Sequence, residues 1–287
     1  MVGAVLIWIR RQRWSKPYQP AISRIEGGGI KRGLTPPEGA VLLGRPLNLT
    51  LTLVIFEMLR KGFLRQETAT PLHVTVAEGF RTQGSGLSAQ ARGDLRRQAA
   101  QTIHAALHLY EEPFLEIIEA SPSVPVHKLD LGVAVRPLVR YVAGRVAGYS
   151  LEETRAYYHL IIERAPREAR SDGRLTFERQ KVFDRNFGWL LLGEDFAGVL
   201  DQPDYSYVPR WMRDPVRIPM SDVQSPMSES VSTRLPEGLT FAHWSKEIIK
   251  SIEGLVDESD VKLKLGDDTD ATTATLMNDI GRATFFG

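Results

Sequence analysis

The stretch that decides the fold is Leu34-Thr35-Pro36-Pro37-Glu38-Gly39-Ala40-Val41-Leu42-Leu43-Gly44, continued by Asn48 to Lys61 and Gly62 and then by Phe63 to Phe80. Two prolines suit the opening of a short helix, because the N–H groups of a first turn have no partner within the helix. Gly44 ends that helix after Leu43. Asn48 has the side chain of a cap for a second helix through Lys61, and Gly62 stands where a left-handed residue usually closes one. Leu49, Leu51, Leu53 and Ile55 alternate with Thr50, Thr52 and Val54 in partly strand-like fashion, so the helical signal is firmest from Phe56 to Lys61. Phe63 to Glu67 and Leu72 to Val76 read as two short strands about a polar turn containing Pro71, the form of a hairpin wing. Residues 34–82 therefore predict a winged-helix-like module within a mainly α (α+β) chain.

Toward the N-terminus, residues 1–33 form an apolar and basic juxtamembrane segment followed by a linker. Val2 to Ile9 is apolar without interruption and gives way at once to Arg10, Arg11 and Arg13, with Trp8 and Trp14 flanking the change. Apolar residues, an interfacial tryptophan and then cations is the order in which a helix leaves a bilayer on its cytoplasmic side. Spanning takes about 20 apolar residues, more than this stretch holds. A signal peptide carries its charges before its apolar region, the reverse of this order. Two readings stand, the cytoplasmic remainder of a longer membrane protein and an apolar N-terminal strand that packs on the core; the first is favoured. Pro17, Pro20 and Gly27-Gly28-Gly29 make the following linker stiff and then flexible.

Toward the C-terminus, residues 87–200 read as a helical module. Leu95, Ala99, Ile103, Leu107 and Tyr110 recur at helical spacing and predict one long amphipathic helix. Pro113 restarts the chain as Phe114 to Ala120, and the apolar run Leu131 to Ala147 is kinked or opened by Pro137. Ser150-Leu151-Glu152-Glu153 is a capping box, and its helix should run to Ala165 and stop before Pro166. A further helix spans Phe177 to Leu192. Residues 201–287 form a proline-rich connector, in which Tyr205, Tyr207 and Trp211 anchor an extended chain, then a short amphipathic helix, and an acidic, extended tail. Phe241, Trp244, Ile248, Ile252 and Leu255 share one face of that helix. Beyond Asp257 the chain reads as polar and disordered.

Composition bounds the function. With 287 residues, 43% hydrophobic and 25% charged, the chain is of ordinary globular type. Cysteine is absent, which removes disulfides, thiolate ligands and cysteine nucleophiles together and suits the cytoplasm. The net charge of +1 hides an asymmetry: the first 32 residues are strongly basic, and acids cluster at Asp257, Glu258, Asp260, Asp267, Asp268 and Asp270.

Three constellations bear on chemistry. His104, His108, Glu111 and Glu112 would share a face of a continuous helix and offer nitrogen and oxygen to zinc. Ala105 stands where a metalloprotease needs glutamate, and a polar flank beside a core stripe explains the four residues more simply. Arg45, Arg60, Lys61 and Arg65 lie near the ends of the second helix and could touch phosphate. Between Leu49 and Leu59, however, only Thr50, Thr52 and Glu57 are polar, a poor set for reading bases. Gly84-Ser85-Gly86 lacks the spacing of a nucleophile elbow, and Gly27 to Gly33 lacks the phosphate-loop order. Asp184, Glu194 and Asp195 are separated acids in a helical context rather than a paired acid and base.

The segment Leu34 to Ala40, then Leu53 to Phe56, then Leu59-Arg60-Lys61-Gly62-Phe63-Leu64-Arg65, resembles the cytoplasmic region of the YciQ-like bacterial predicted membrane proteins, a family of unknown function. Tyr110-Glu111 with Leu115, Ile117 and Ile118 is similar to the helix that opens that family's next module. The resemblance covers Val2 to Ala165 and implies membrane association and a cytoplasmic helical region; it brings no activity. The chain departs from the family in lacking the extracytoplasmic domain and most of the membrane helix, which leaves a truncated gene model and a divergent relative both open.

The expectation is thus a non-enzymatic interaction or scaffold protein at the cytoplasmic face of the cell membrane, without a cofactor, meeting anionic lipid through its N-terminal segment and an unidentified protein through its fold. The alternative is a cytosolic winged-helix DNA-binding regulator, and a weaker one is a metal-dependent enzyme.

Overall fold

Helix α1 (Pro36–Leu42) opens at Thr35, whose N–H donates to Glu38 Oε2 at 2.8 Å, and carries both prolines in its first turn. The computed structural model to which it belongs describes residues 29–82, 86–170, 176–213, 235–252 and 271–286. Trp8, Arg10, Arg11, Arg13, Trp14, the linker prolines and the acids from Asp257 to Asp270 lie outside the described residues, as do Gly84 and Ser85.

Helix α2 (Leu47–Lys61) begins one residue before Asn48. Pro46, with φ −51°, sets the entry, and Asn48 Oδ1 accepts from Leu49 N at 2.8 Å instead of capping the turn. Thr50 and Thr52 donate their hydroxyls back to Pro46 O at 3.1 Å and Asn48 O at 2.8 Å. The strand-like alternation is overridden because the threonines satisfy themselves within the helix while the helix is buried all round. Every residue from Thr50 to Leu59 is buried. Gly62, at φ +80°, closes α2 in the left-handed region. Strands β1 (Leu64–Thr68) and β2 (His73–Val76) then pair antiparallel, with Leu64 opposite Val76 and Gln66 opposite Val74. The helix-helix-hairpin unit expected from the sequence is present.

Helix α3 (Ala89–Thr102) corrects the next expectation in two ways. It stops at Thr102, so residues 103–111 are turn and loop rather than further helix. It also buries Gly93, Arg96 and Ala100, leaving Leu95 at 48% and Ile103 at 47% exposed. The face is chosen by Arg96, which lies inside the fold. Its Nη2 meets Glu119 Oε2 at 2.6 Å and its Nε donates to Phe80 O at 3.1 Å. A desolvated guanidinium held through Nε and Nη2 overrides an apolar stripe, because misplacing it would strand a charge.

Helix α4 (Glu112–Ala120) carries Pro113 in its first turn, and α5 (Val135–Val146) carries Pro137 near its start, so Pro137 opens that helix rather than kinking it. Helix α6 (Leu151–Ala169) is capped by Ser150, whose Oγ accepts from Glu153 N at 3.2 Å, while Ser150 N donates to Gly29 O at 3.0 Å in place of the Glu153 side chain that a full capping box would use. It does not stop before Pro166. Proline in the last turn removes a single intrahelical bond, and Ala165 and Ala169, both buried, hold the continuation against the core. Helix α7 (Thr176–Leu191) packs along α6 and leads to α8 (Phe196–Leu200), the short pair β3 (Asp201–Gln202) and β4 (Tyr205–Ser206), and α9 (Arg210–Arg213).

The described parts of the connector and of the C-terminal region belong to the core. Phe56 of α2 lies 6.0 Å from Phe187, Trp211 and Phe241 and 5.3 Å from Trp244 between ring centroids. Such pairs contribute about 0.5–1.5 kcal/mol each beyond their burial. Phe241 and Trp244 come from α10 (Phe241–Ser251), and Trp244 Nε1 donates to Ala69 O in the hairpin turn at 2.8 Å. Tyr207 is buried and stacks on Phe183 at 5.2 Å, so the connector aromatics do anchor the chain.

The expectation of a disordered chain beyond Asp257 is overturned for residues 271–286 by α11 (Ala271–Phe286), which buries Thr273, Leu276, Met277 and Ile280 and packs on α5, α2 and α1. These four fall at the i, i+3, i+4, i+7 spacing of one helix face. One contiguous cluster of buried side chains runs from Ala40 to Ile280. The molecule is mainly helical with a small antiparallel hairpin. Among the described residues no helix is long and apolar enough to cross a membrane.

Candidate functional site

Several residues singled out in the sequence meet where the C-terminal end of α2, the loop before α4 and one face of α5 converge. Lys61, the last residue of α2, sends its Nζ to Glu111 Oε1 at 2.7 Å, with side-chain exposures of 8% and 0%. The other carboxylate oxygen of Glu111 accepts from His108 N at 2.8 Å, while Glu111 N donates to His108 O at 3.0 Å, so the turn before α4 is closed twice. His108 stacks on Tyr110 at 5.4 Å between centroids, and its Nδ1 lies 3.3 Å from Tyr141 Oη. Tyr110 reaches Thr35 Oγ1 at 3.2 Å. Arg145, one helical turn after Tyr141, donates to Tyr141 Oη at 3.4 Å and to Gly33 O at 2.9 Å, and it stands 3.5 Å from Glu38 Oε1. The network ties the entry to α1, the end of α2 and the face of α5 into one unit.

Burial dominates its electrostatics. Desolvation pushes the Glu111 carboxyl up to about 7 from 4.5, against the pull of Lys61. His108 is pushed down from 6.5 to about 4 by burial and then by Lys61 and Arg145, so its ring is neutral at pH 7. Burial also raises the Tyr110 hydroxyl well above its ordinary range and raises Glu38.

These shifts have opposite consequences for stability. For His108, held neutral when folded, the contribution is complete above 6.5 and is lost as pH falls toward about 4. For Glu111, whose folded value is raised, it is complete below 4.5 and is lost as pH rises toward about 7. Between 4.5 and 6.5 the two oppose each other. His108→Gln removes the first and leaves the second. Relative to the parent, the variant should gain stability as the pH is lowered through that window. Urea denaturation at a series of pH values checks this, and parallel profiles for the two proteins would contradict it.

The metal constellation is not assembled. Because α3 ends at Thr102, His104 sits exposed in a turn with φ +55°, Glu111 is held by Lys61, and Glu112 pairs with Arg97 at 2.7 Å. Among the described residues no group of three or more histidines and carboxylates is placed to hold a metal ion. The cations near α2 are also dispersed. Arg60 is bound by Glu57 at 2.5 Å, Lys61 is inside, Arg65 is exposed on β1, and Arg45, between α1 and α2, lines a separate cavity. Asp184 accepts from Tyr207 Oη at 2.9 Å, and Asp195 caps α8.

Glu38, Tyr141 and Arg145 were not marked by the sequence as part of a site. Tyr141 and Arg145 stand four residues apart on an amphipathic helix, which is the only local signal; what they face is set by α1 and the 103–111 loop. Comparison with known proteins finds no matching family model, no matching curated protein and no matching solved structure.

Proposed function

We propose that this chain is a non-enzymatic interaction or scaffold module held at the cytoplasmic face of a membrane by its N-terminal segment. The observation that carries the reading is the order of residues from Val2 to Trp14: an apolar run, tryptophans on both sides of the change, and Arg10, Arg11 and Arg13 between them. Likeness to the YciQ-like family supports the same placement. The fold is compatible with an arm of this kind, because the chain leading from it is fastened at the start of α6. Gly29 O accepts from Ser150 N at 3.0 Å, Lys31 N donates to Thr154 Oγ1 at 3.1 Å, and Lys31 and Arg32 lie over the rings of Tyr149 and Tyr157. The DNA-reading alternative is weakened by the burial of α2 from Thr50 to Leu59, which leaves that helix no face for a groove. Lys61 with Glu111 and Arg96 with Glu119 pair inside the fold, so these four charges hold structure.

The test is sedimentation of the full chain with vesicles of phosphatidylcholine alone and of phosphatidylcholine mixed with phosphatidylserine. Binding should require the anionic lipid. Arg10→Glu, Arg11→Glu and Arg13→Glu together should weaken it by at least about 100-fold, since the loss of three cations near the surface alone costs roughly 1 kcal/mol each. Equal affinity for both vesicles, or an unchanged triple variant, would remove the proposal.

A further inference from the structure

Arg45 occupies a position that neither the ion-pair network nor the aromatic core accounts for. It follows the turn that ends α1, where Gly44 takes φ +59° and Arg45 N donates to Ala40 O at 2.9 Å, and it precedes Pro46 at the entry to α2. Its side chain lines a cavity of about 340 Å³ between α6 and the segment that joins α7 to α8. The Arg45 Nε is buried and has no hydrogen-bond partner, and no described carboxylate forms an ion pair with its guanidinium. A guanidinium N–H withdrawn from water and left unpaired is costly. The group that best repays that desolvation is a carboxylate, which offers two oxygens to the planar fork.

The remaining lining says what such a carboxylate should be attached to. Ile162, Leu190 and Val199, at 6%, 0% and 2% exposure, form an apolar floor, and Phe196 stands half-buried beside them. The cavity's volume is at the small end of the range for ligand sites, which are largely apolar with a few placed polar groups. Charges at the mouth constrain the outer end. Glu163 and Glu194 are exposed there, and Asp195 is engaged by Arg170 at 3.1 Å and by the N–H of Gly198 at 3.3 Å. His159, also exposed, lines the same mouth. A second negative charge on the ligand would face these two exposed carboxylates; a neutral or cationic outer end would not.

We infer that this cavity binds a small amphiphilic monocarboxylate, with its carboxylate on the Arg45 guanidinium, its apolar body on Ile162, Leu190, Phe196 and Val199, and a neutral or cationic end toward Glu163 and Glu194. Two sources supply that chemistry, a free organic acid and the C-terminus of a peptide ending in an apolar residue. Both use the same contacts.

The experiment is a titration of the full chain, followed by the methyl resonances of Ile162, Leu190 and Val199, with four probes: hexanoate, hexanol, adipate and N-acetyl-leucine. Saturable shifts at those methyls are expected with hexanoate or N-acetyl-leucine, and whichever of the two binds more tightly identifies the source. Hexanol, lacking the charge, should bind about tenfold more weakly than hexanoate, and adipate should also be weaker because of its second carboxylate. Arg45→Gln should abolish the preference for hexanoate over hexanol. Phe196→Ala, which leaves Arg45 in place, should weaken both probes together and serves as the reporter if the Arg45 variant does not fold. The inference is overturned if neither carboxylate gives saturable shifts at those methyls, if hexanol matches hexanoate, or if Arg45→Gln, when folded, leaves the preference intact.

Discussion

Lys61→Met is expected to destabilise the protein by about 3–5 kcal/mol, the usual cost of removing one partner from a buried ion pair. The cause is what remains: Glu111 has a fully buried side chain whose Oε1 has Lys61 as its partner at 2.7 Å. The loss should depend on pH, with a definite sign. Lys61 lowers the Glu111 pKa, which burial already holds near 7, so removing Lys61 raises it further. A carboxyl with a raised folded pKa gives its full contribution below the unfolded value and loses it as pH rises toward the folded one. In the variant that decline extends to higher pH. The gap between parent and variant should therefore be larger at pH 8 than at pH 5, where Glu111 can take up a proton and remain buried as a neutral acid accepting from His108 N. Adding Glu111→Leu to Lys61→Met should restore most of the stability, because a pair removed whole leaves no charge uncompensated. Urea denaturation of the parent, the single variant and the double variant at both pH values measures all three statements. A loss independent of pH, or a double variant no better than the single one, would show that the Lys61 to Glu111 contact does not carry the effect.

The elements legible in the sequence were those whose determinants are local. Gly62 at the end of α2, the hairpin about Pro71 and the Ser150 cap each depend on residues within a few positions of one another, and each forms where its spacing indicates. The misreadings share a different origin. The apolar stripe Leu95, Ala99, Ile103 is a sound amphipathic pattern, yet α3 turns its other side inward because Arg96 meets Glu119 and Phe80. Periodicity carries no information about a partner 23 residues away. Losing the last turns of that helix also dismantled the proposed metal face, which depended on continuity from His104 to Glu112. The Lys61 to Glu111 pair is half legible in the same sense: the sequence offers Lys61 as a phosphate contact and Glu111 as a metal ligand. Their separation in sequence concealed that they satisfy each other. Glu38 and Arg145 lie on different helices, and the spacing of Arg145 from Tyr141 says nothing of Glu38.

The C-terminal region offers the sharpest separation of the two descriptions, because a disordered tail and a core helix respond oppositely to the same substitution. Leu276 and Ile280 are both 0% exposed on α11, where they face α5, α2 and α1. Truncating a buried leucine or isoleucine to alanine removes its transfer free energy and leaves a cavity that the surroundings fill only in part, at about 2–5 kcal/mol for each. Leu276→Ala and Ile280→Ala should each lower stability by an amount in that range. The two residues are one helical turn apart and share neighbours, so the double variant should fall short of the sum. If residues 271–286 had no place in the core, neither substitution would move the denaturation midpoint. The acidic stretch from Asp257 to Asp270 obscured this in the sequence, since its charges argue for solvation up to the residue at which the face of Thr273, Leu276, Met277 and Ile280 begins. Arg155 of α6 supplies a second hold on the same helix. It pairs with Asp279 and donates through Nε to Leu42 O at 2.8 Å, fastening α11 to the end of α1. Asp279→Asn should cost no more than about 1 kcal/mol, because both partners are partly exposed and a surface pair is screened by water. A midpoint that drops for Leu276→Ala and Ile280→Ala while barely moving for Asp279→Asn would establish that apolar burial, rather than the ion pair at its edge, holds the C-terminal helix to the fold.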